Sequence, residues 1–300
     1  MDEYEQLLPY FDGWIREVLE QYPRIQRSDV WEIRLRLGRP IAIIHKADVS
    51  FPDRLSRKVS AEEIQNCLRR VCGYSMQSCE ENLTRGYCTL YGGHRVGVAG
   101  NVAVENGKIL KLREAASLNF RIARQVLGSA KNLPQLLYST GTLPSVLIAG
   151  PPGSGKTTVL RDLIRRLSDG EGGKILQISA IDERGELGGN PDPGTAVFDL
   201  GKCTDLLSGY PKGPGMEIAL RTLSPQLIAC DELGNREESS AVMECVNAGV
   251  PILATVHGDS LESLEKRPVI ADFLKWNVFQ VVVFLQQDRN FQIDWLNRRT

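Results

Sequence analysis

The chain has 300 residues, of which 42% are hydrophobic, so it can bury a full core, and its length favours two domains over one. Its formal charge of −1 and pI near 6.4 disfavour a protein built mainly to coat nucleic acid. Seven cysteines without a C-x-x-C pair indicate neither a disulfide framework nor a zinc site and favour a reducing, cytoplasmic environment. The acidic start lacks a signal core and the longest apolar run is too short to span a bilayer, so membrane association is expected only through partners.

Residues 1–135 predict a smaller α+β domain. Apolar residues at helical spacing predict one amphipathic helix over residues 4–21, and strict alternation predicts strands at 30–37 and 41–45. Ser60, followed by two glutamates, predicts the start of another helix. The remaining predicted elements are a short helix at 76–82, strands at 86–90, 95–104, 108–112 and 118–122, a hairpin turn at 105–107 and a short helix at 132–139.

This half contains no catalytic cluster of its own, but it has a basic strand. Arg34 and Arg36 share the polar face of the strand at 30–37, and Arg39 lies in the turn that follows. The pattern fits either a solvated strand face or a basic surface that faces a neighbouring subunit.

Residues 136–300 predict an α/β domain. Its predicted strands lie at 145–149, 174–178, 226–230, 251–255 and 277–285. They alternate with helices, of which the first covers 157–167, and this rhythm predicts a largely parallel sheet covered by helices. Residues 185–215 are rich in Gly and Pro and predict a loop that is mobile, or is ordered by a nucleotide or a neighbouring subunit.

A phosphate-binding loop follows the first of these strands and fits G-x-x-x-x-G-K-[ST]. Its backbone N–H groups are expected to cradle phosphate oxygens, with Lys156 on the β/γ-phosphates and the Thr157 hydroxyl on Mg²⁺. An accidental match in a surface turn is the alternative, but strand, loop and helix follow in the order that the motif requires. The predicted nucleotide-binding residues are Gly150, Pro151, Pro152, Gly153, Ser154, Gly155, Lys156, Thr157 and Thr158.

Two carboxylates, Asp231 and Glu232, end the strand at 226–230. Asp231 is expected to hold Mg²⁺ through a water molecule, together with Thr157, and Glu232 to orient or deprotonate the attacking water. Acidic pairs at strand ends are common, but this pair and the phosphate loop belong at the same carboxyl edge of one sheet. The sequence therefore predicts an ATP site there.

Two further groups are expected at this edge. The acidic stretch 182–186, which includes Glu183, fits a role toward Mg²⁺ or water, although a solvated loop is the alternative. His257 follows the strand at 251–255 and is placed to touch a γ-phosphate, whereas a lone histidine is more often a hydrogen-bonded core residue.

Several ordered segments resemble the family of secretion and pilus motor ATPases and, more closely, the stage III sporulation protein AA family of spore-forming bacteria. The segments are 32–40, 92–97, 117–124, the phosphate loop, 182–184, 204–209 and 248–258. The resemblance implies a RecA-like P-loop NTPase domain in a ring-shaped homo-oligomer, expected to be a hexamer. It also implies an ATPase on the cytoplasmic face of a channel between mother cell and forespore, with membrane channel proteins as partners and no nucleic acid.

The resemblance also implies roles for single residues. Glu183 or Glu186 and His257 would flank the nucleotide, and arginines from the amino-terminal domain or a neighbouring subunit would complete the site. The candidate arginines are Arg121, Arg124 and Arg221. Motor ATPases of this group usually have Gly-Glu where this chain has Asp231-Glu232, so the division of labour between Glu232 and Glu183 stays open.

Two other functions remain compatible with the sequence. One is a nucleotide-gated scaffold that binds ATP with little hydrolysis, and the other is a nucleic-acid-stimulated ATPase that uses Arg34 and Arg36. A phosphotransferase acting on a small molecule is disfavoured, because no acceptor pocket is visible in the sequence.

Overall fold

A computed structural model describes residues 2–46, 48–75, 77, 79–139, 141–189, 197–286 and 291–296. The chain divides into two compact units, Met1–Arg124 and Gln125–Thr300. The boundary inferred from the sequence near residue 135 falls inside the second unit, because Ala130 and Leu133 are fully buried in that unit's core.

The first unit is built around one antiparallel sheet. Its elements are a 3₁₀ helix at Glu5–Tyr10, α1 (Gly13–Glu20), α2 (Arg24–Arg27), β1 (Val30–Arg36), β2 (Ala42–His45), β3 (Val49–Ser50), α3 (Ala61–Val71), α4 (Glu80–Thr84), β4 (Tyr87–Thr89), a 3₁₀ turn at Tyr91–Gly93, β5 (Arg95–Glu105) and β6 (Lys108–Arg121). The strand order is β3-β2-β1-β6-β5-β4. Alternation along β1 buries Ile33 and Leu35 in a core that the helices complete.

The strongest local signals of this unit are confirmed. Ser60 caps α3 through a capping box, in which its hydroxyl accepts from the Glu63 N–H at 3.2 Å and the Glu63 carboxylate accepts from the Ser60 N–H at 2.7 Å. The turn between β5 and β6 contains Asn106 and Gly107 with positive φ values of 49° and 75°, as a tight hairpin turn requires.

Four predicted elements of this unit differ in the structure. The single helix expected over residues 4–21 is interrupted, because Phe11 and Asp12 are extended and Pro9 lacks a donor for a continuous helix. The strands expected at 108–112 and 118–122 are one continuous strand, β6. The helix expected at 76–82 begins only at Glu80, and residues 76 and 78 lie outside the described part of the chain.

The second unit is a mainly parallel sheet covered by helices. Its elements are α5 (Leu133–Tyr138), β7 (Val146–Gly150), α6 (Lys156–Ser168), β8 (Ile178–Asp182), β9 (Thr204–Ser208), α7 (Lys212–Thr222), β10 (Leu227–Cys230), a 3₁₀ helix at Arg236–Glu238, α8 (Ser239–Asn247), β11 (Ile252–His257), α9 (Leu261–Glu265), α10 (Pro268–Lys275), β12 (Val281–Leu285) and β13 (Phe291–Trp295). The strand order is β13-β12-β7-β11-β10-β8-β9, and β13 is antiparallel to β12. A largely parallel α/β sheet, as predicted from the sequence, is confirmed.

Both faces of this sheet are buried. Alternate residues of β7 enter two different cores, with Leu147 and Ala149 in one and Val146 and Ile148 in the other. None of the described helices is long and apolar enough to cross a bilayer.

Two predictions for the second unit are wrong in position. The strand expected at 174–178 is β8, which begins at Ile178 and ends at Asp182. The expected loop 185–215 contains β9 and the start of α7, and its residues 190–196 lie outside the described part. Gly215 lies in α7, where a Cβ atom would come within 2.7 Å of the Ile181 side chain, so this glycine permits close helix packing.

Close contact between β5 and β6 leads to a testable difference between two glycines. At Gly100 a Cβ atom would lie 1.9 Å from the Glu114 carbonyl oxygen, whereas at Gly97 the nearest atom would be 3.7 Å away. We expect Gly100→Ala to lower the free energy of unfolding by about 1–3 kcal/mol, because the hairpin backbone must shift. Urea unfolding followed by circular dichroism measures this, with Gly97→Ala as the control. Equal losses in the two variants would contradict the close-contact explanation.

Candidate functional site

Three strand ends meet at the carboxyl edge of the parallel sheet. β7 leads into the phosphate loop, β10 leads into Asp231, and β11, which ends at His257, lies between them. His257 is in register with Gly150 of β7. The sheet therefore brings the loop, the acidic pair and the histidine to one place, as the sequence predicts.

The phosphate loop has the backbone of an anion site. Gly153 and Gly155 have φ values of 75° and 95°, in the left-handed region that glycine adopts without strain. Gly155 also caps α6, which begins at Lys156. The first N–H groups of a helix have no partner within the helix, so this end offers donors and the positive end of the helix dipole to an anion.

Lys156 is the buried cation of the site, with a relative exposure of only 7%. Its Nζ donates to the Gly150 and Pro151 carbonyl oxygens at 3.0 Å each, and it lies 3.1 Å from His257 Nδ1. Burial holds the pKa of Lys156 below its usual value, although nearby acids oppose this effect. These partners are neutral, so a negatively charged phosphate would improve the environment of the ammonium group.

Asp231, which directly follows β10, is hydrogen-bonded to the first turn of α6 after the phosphate loop. Its carboxylate accepts the Thr157 hydroxyl at 2.6 Å, the Thr255 hydroxyl and the Glu232 N–H at 3.1 Å. Thr157 and Asp231 thus place a hydroxyl and a carboxylate oxygen within reach of one ion. Oxygen donors of this kind are what Mg²⁺ prefers, so the residues fit the predicted metal role.

Glu232 has two side-chain partners. Its carboxylate is 2.8 Å from His257 Nε2 and forms an ion pair with Arg184. Burial alone would raise the pKa of Glu232, but the His257 hydrogen bond and the Arg184 charge outweigh it and hold the pKa below its usual value. The Glu232 backbone has a φ of 55°, which is uncommon for a residue with a side chain, and its N–H donates to Thr255 Oγ1 at 2.8 Å.

The two ring nitrogens of His257 have different partners. An ammonium group has no lone pair, so Lys156 donates to Nδ1, and the ring proton on Nε2 then points to Glu232. This tautomer is assigned from the partners. A neutral imidazole therefore joins the buried cation of the loop to the acid of the neighbouring strand.

The acidic stretch 182–186 divides into two roles. Asp182 accepts the N–H groups of Glu186 and Gly188 at 2.8 Å each and so fixes the turn after β8, while burial raises the pKa of its carboxyl group. Glu183 instead pairs with Lys212 at 3.0 Å. The acids of this stretch, together with Asp231 and Glu232, line a pocket at the sheet edge that also contains Arg184 and Lys212.

Of the three candidate arginines only Arg221 belongs to the second unit, and within the described part of that unit it does not contact these residues. Arg221 lies in the last turn of α7 with a side chain 71% exposed, and it pairs with Glu217 at 3.5 Å. The other two belong to the first unit. There Arg121 pairs with Glu32 at 3.0 Å, and Arg124 donates to backbone carbonyl oxygens.

Sequence reasoning assigned no role to several polar residues of the site. Thr255 bonds both Asp231 and the Glu232 N–H, and Arg184 pairs with Glu232. Lys212 joins Glu183 to the buried Glu238, whose carboxylate also accepts two backbone N–H groups. Thr255 could have been recognised in the sequence as a polar residue near the end of an apolar strand. The partners of Lys212 could not, because they depend on tertiary structure.

The strand order and the phosphate loop define a RecA-like P-loop NTPase fold. Two solved structures share it, each with 16% identity and a TM-score of 0.58. One is the ATPase DotB of Legionella pneumophila, for which the match covers 93% of this chain and 78% of DotB. The other is the pilus retraction motor PilT with bound ADP, for which it covers 90% of this chain and 76% of PilT. At this identity the likeness concerns the fold.

The chain belongs to the family described as sporulation stage III, protein AA, whose sequence profile matches residues 1–293. It is 39% identical over 269 residues to the stage III sporulation protein AA of Bacillus subtilis strain 168. This alignment covers 89% of the chain and 85% of the relative.

The contacts of Asp231 predict how Mg²⁺ affects nucleotide binding. We expect Asp231→Asn to weaken Mg²⁺-ATP binding by at least about tenfold and Mg²⁺-free ATP binding much less, because the change removes a charged oxygen ligand. Titration of a fluorescent ATP analogue with and without Mg²⁺ measures both affinities. The matched control is Asp205→Asn, on the exposed side of β9. An unchanged Mg²⁺ dependence in Asp231→Asn would remove this residue from the metal site.

Proposed function

We propose that this chain is an Mg²⁺-dependent ATPase that works as a ring-shaped homo-oligomer, with a hexamer as the expected order. Its hydrolysis would energise or assemble a sporulation channel between mother cell and forespore. The observation that carries the proposal is the convergence of Lys156, His257 and Glu232 beside Thr157 and Asp231. Family membership supports the link to sporulation, and the fold shared with a pilus motor supports the motor role.

The binding roles follow from charge and position. Lys156 and the N–H groups of residues 153–158 bind the phosphates of ATP. Thr157 and Asp231 hold Mg²⁺, which neutralises charge that develops on the phosphate oxygens. Their oxygens are already in hydrogen-bond contact, so little rearrangement of the protein is needed.

The role of Glu232 follows from its pKa. A carboxyl group whose pKa lies below its usual value stays ionised at neutral pH, but it is also a weaker base. Glu232 is therefore better suited to accept a hydrogen bond from the attacking water and orient it than to remove its proton early. Glu183 is the alternative base, although its ion pair with Lys212 already occupies it.

Glu232 must also exchange partners to reach a water molecule. Arg184 and His257 both hold its carboxylate, and His257 in turn contacts Lys156. A phosphate that draws Lys156 away would change the partner of His257 and, through the ring, that of Glu232. In this way His257 senses the γ-phosphate and couples phosphate binding to the position of the water-orienting acid.

An arginine supplied by a neighbouring subunit would add charge stabilisation worth orders of magnitude in rate. Arg221 is exposed and so can reach another subunit, and Arg121 and Arg124 of the first unit are the other candidates. We place the oligomer on the cytoplasmic, mother-cell side, attached to the membrane through channel proteins. Nucleic acid is not an expected partner, and the pairing of Arg34 with Glu32 reduces the basic character of the first strand.

The catalytic assignment is tested by Glu232→Gln. We expect this variant to bind Mg²⁺-ATP normally but to lose about a hundredfold to ten-thousandfold in turnover, because a neutral amide accepts a hydrogen bond more weakly than a carboxylate and would orient the attacking water poorly. Steady-state phosphate release and ATP-analogue binding measure the two effects. Glu244→Gln, at an exposed position of α8, is the control.

Other outcomes of this test are informative. If Glu183→Gln lost turnover and Glu232→Gln did not, Glu183 would be the main base. ATP binding without turnover in the native protein, at every concentration and with DNA or RNA added, would favour a nucleotide-gated scaffold. Stimulation by nucleic acid that weakens with salt would favour the nucleic-acid-dependent ATPase.

Oligomerisation is tested by the concentration dependence of activity. If a neighbouring subunit completes the site, the rate of phosphate release should rise more than linearly with protein concentration, and the rate per chain should level off once the oligomer has formed. Size-exclusion chromatography with light scattering at the same concentrations gives the oligomer order. The Lys156→Ala variant should lose activity and keep the same oligomer order. Activity strictly proportional to concentration in a monomeric protein would contradict a shared site.

A further inference from the structure

Three cysteines of the first unit lie close together. Cys72 follows the last turn of α3, Cys79 precedes α4 and Cys88 lies in the middle of β4. Their sulfur atoms all lie within 4.8 Å of one another. Cys72 and Cys88 are almost fully buried, with exposures of 4% and 2%, whereas Cys79 is partly exposed.

The spacing of the sulfur atoms is near that of a tetrahedral thiolate site. With Zn–S bonds of 2.3 Å, two sulfur atoms bound to one zinc ion are about 3.8 Å apart. The present spacing of 4.8 Å or less is larger than this by at most about 1 Å, which side-chain rotation can close. Three separate elements supply the thiols, so one ion would join α3, the start of α4 and β4.

Apolar packing alone does not account for the convergence. Cys67, one turn earlier in α3, is also fully buried in the same core, yet it does not belong to the group. It shows how a cysteine of this unit behaves as a small hydrophobic residue. The sulfur atoms of Cys72, Cys79 and Cys88, by contrast, lie within 4.8 Å of one another.

We propose that Cys72, Cys79 and Cys88 bind one Zn²⁺ ion through three thiolates. Zinc is the natural occupant, because it accepts three or four thiolate ligands and needs no redox chemistry. It prefers four ligands, and the partial exposure of Cys79 lets a water molecule take the fourth position. The ion stabilises the segment that connects α3 to β4.

Protonation gives the site a pH dependence. Zinc is bound by thiolates, so Zn²⁺ must displace the protons of the three thiols to bind. The affinity for Zn²⁺ is expected to rise as the pH rises.

The experiment uses the full-length protein, purified under reducing conditions without chelator. Metal analysis should find about one Zn²⁺ per chain after dialysis. After removal of zinc, Co²⁺ should produce the intense sulfur-to-metal charge-transfer absorption of thiolate ligands. This absorption distinguishes the cysteines from the oxygen ligands of the ATP site.

Cys79→Ser is the main variant, because Cys79 is the most exposed of the three and its loss should leave the core intact. We expect it to weaken Zn²⁺ binding by at least about tenfold, to reduce the Co²⁺ absorption and to lose the increase in melting temperature that Zn²⁺ gives the native protein. Cys203→Ser, a partly buried thiol of the second unit, is the matched control and should behave like the native protein.

Three results would overturn the proposal. In the first, the native protein retains no zinc and shows no thiolate absorption with Co²⁺. In the second, Cys79→Ser and the native protein bind zinc with equal affinity. In the third, two of the three cysteines form a disulfide that persists under the reducing conditions in place of the metal.

Discussion

The site depends on the position of β11 between β7 and β10. Neighbouring strands are about 4.8 Å apart, so the strand before the phosphate loop and the strand before Asp231 are separated by roughly 9.6 Å. Thr157 reaches Asp231 because it lies on the first turn of α6, beyond the end of β7. Thr255 and His257 of β11 place polar groups between these two strands. Thr255 bonds Asp231, and His257 contacts both Glu232 and Lys156. An apolar strand end would supply none of these partners.

The electrostatics of this gap explain why a neutral histidine suits it. Lys156 is a buried cation and Glu232 an acid kept ionised by its neighbours, and the ring between them accepts from one and donates to the other. A second cation at this position would repel Lys156, and a second anion would repel Glu232. An imidazole serves both partners. The sheet therefore holds Lys156, His257 and Glu232 in one continuous chain of hydrogen bonds.

Sequence patterns predicted the parts of this arrangement that depend on neighbours in the chain. The phosphate loop, the strand before it, the helix after it and the apolar strand ending in Asp231 all lie where they were expected. The segment 185–215 was assigned incorrectly because its glycines were taken as loop signals. In α7, Gly215 has no side chain because Ile181 occupies that space, and such a contact is set by a strand far away in the sequence. The edge strand β9 is short and depends on pairing with β8.

The remaining features were beyond sequence reasoning because they depend on which elements become neighbours in space. Strands that are neighbours in the sheet do not follow one another along the chain. The spacing of residues in the sequence therefore does not reveal that His257 contacts both Lys156 and Glu232. The cysteines illustrate the same limit. A thiolate metal site is recognised from sequence when one turn supplies two closely spaced cysteines. Cys72, Cys79 and Cys88 instead come from a helix end, a connecting turn and a strand. Their convergence follows from the packing of α3 and α4 against the sheet, which brings the three sulfur atoms within 4.8 Å of one another.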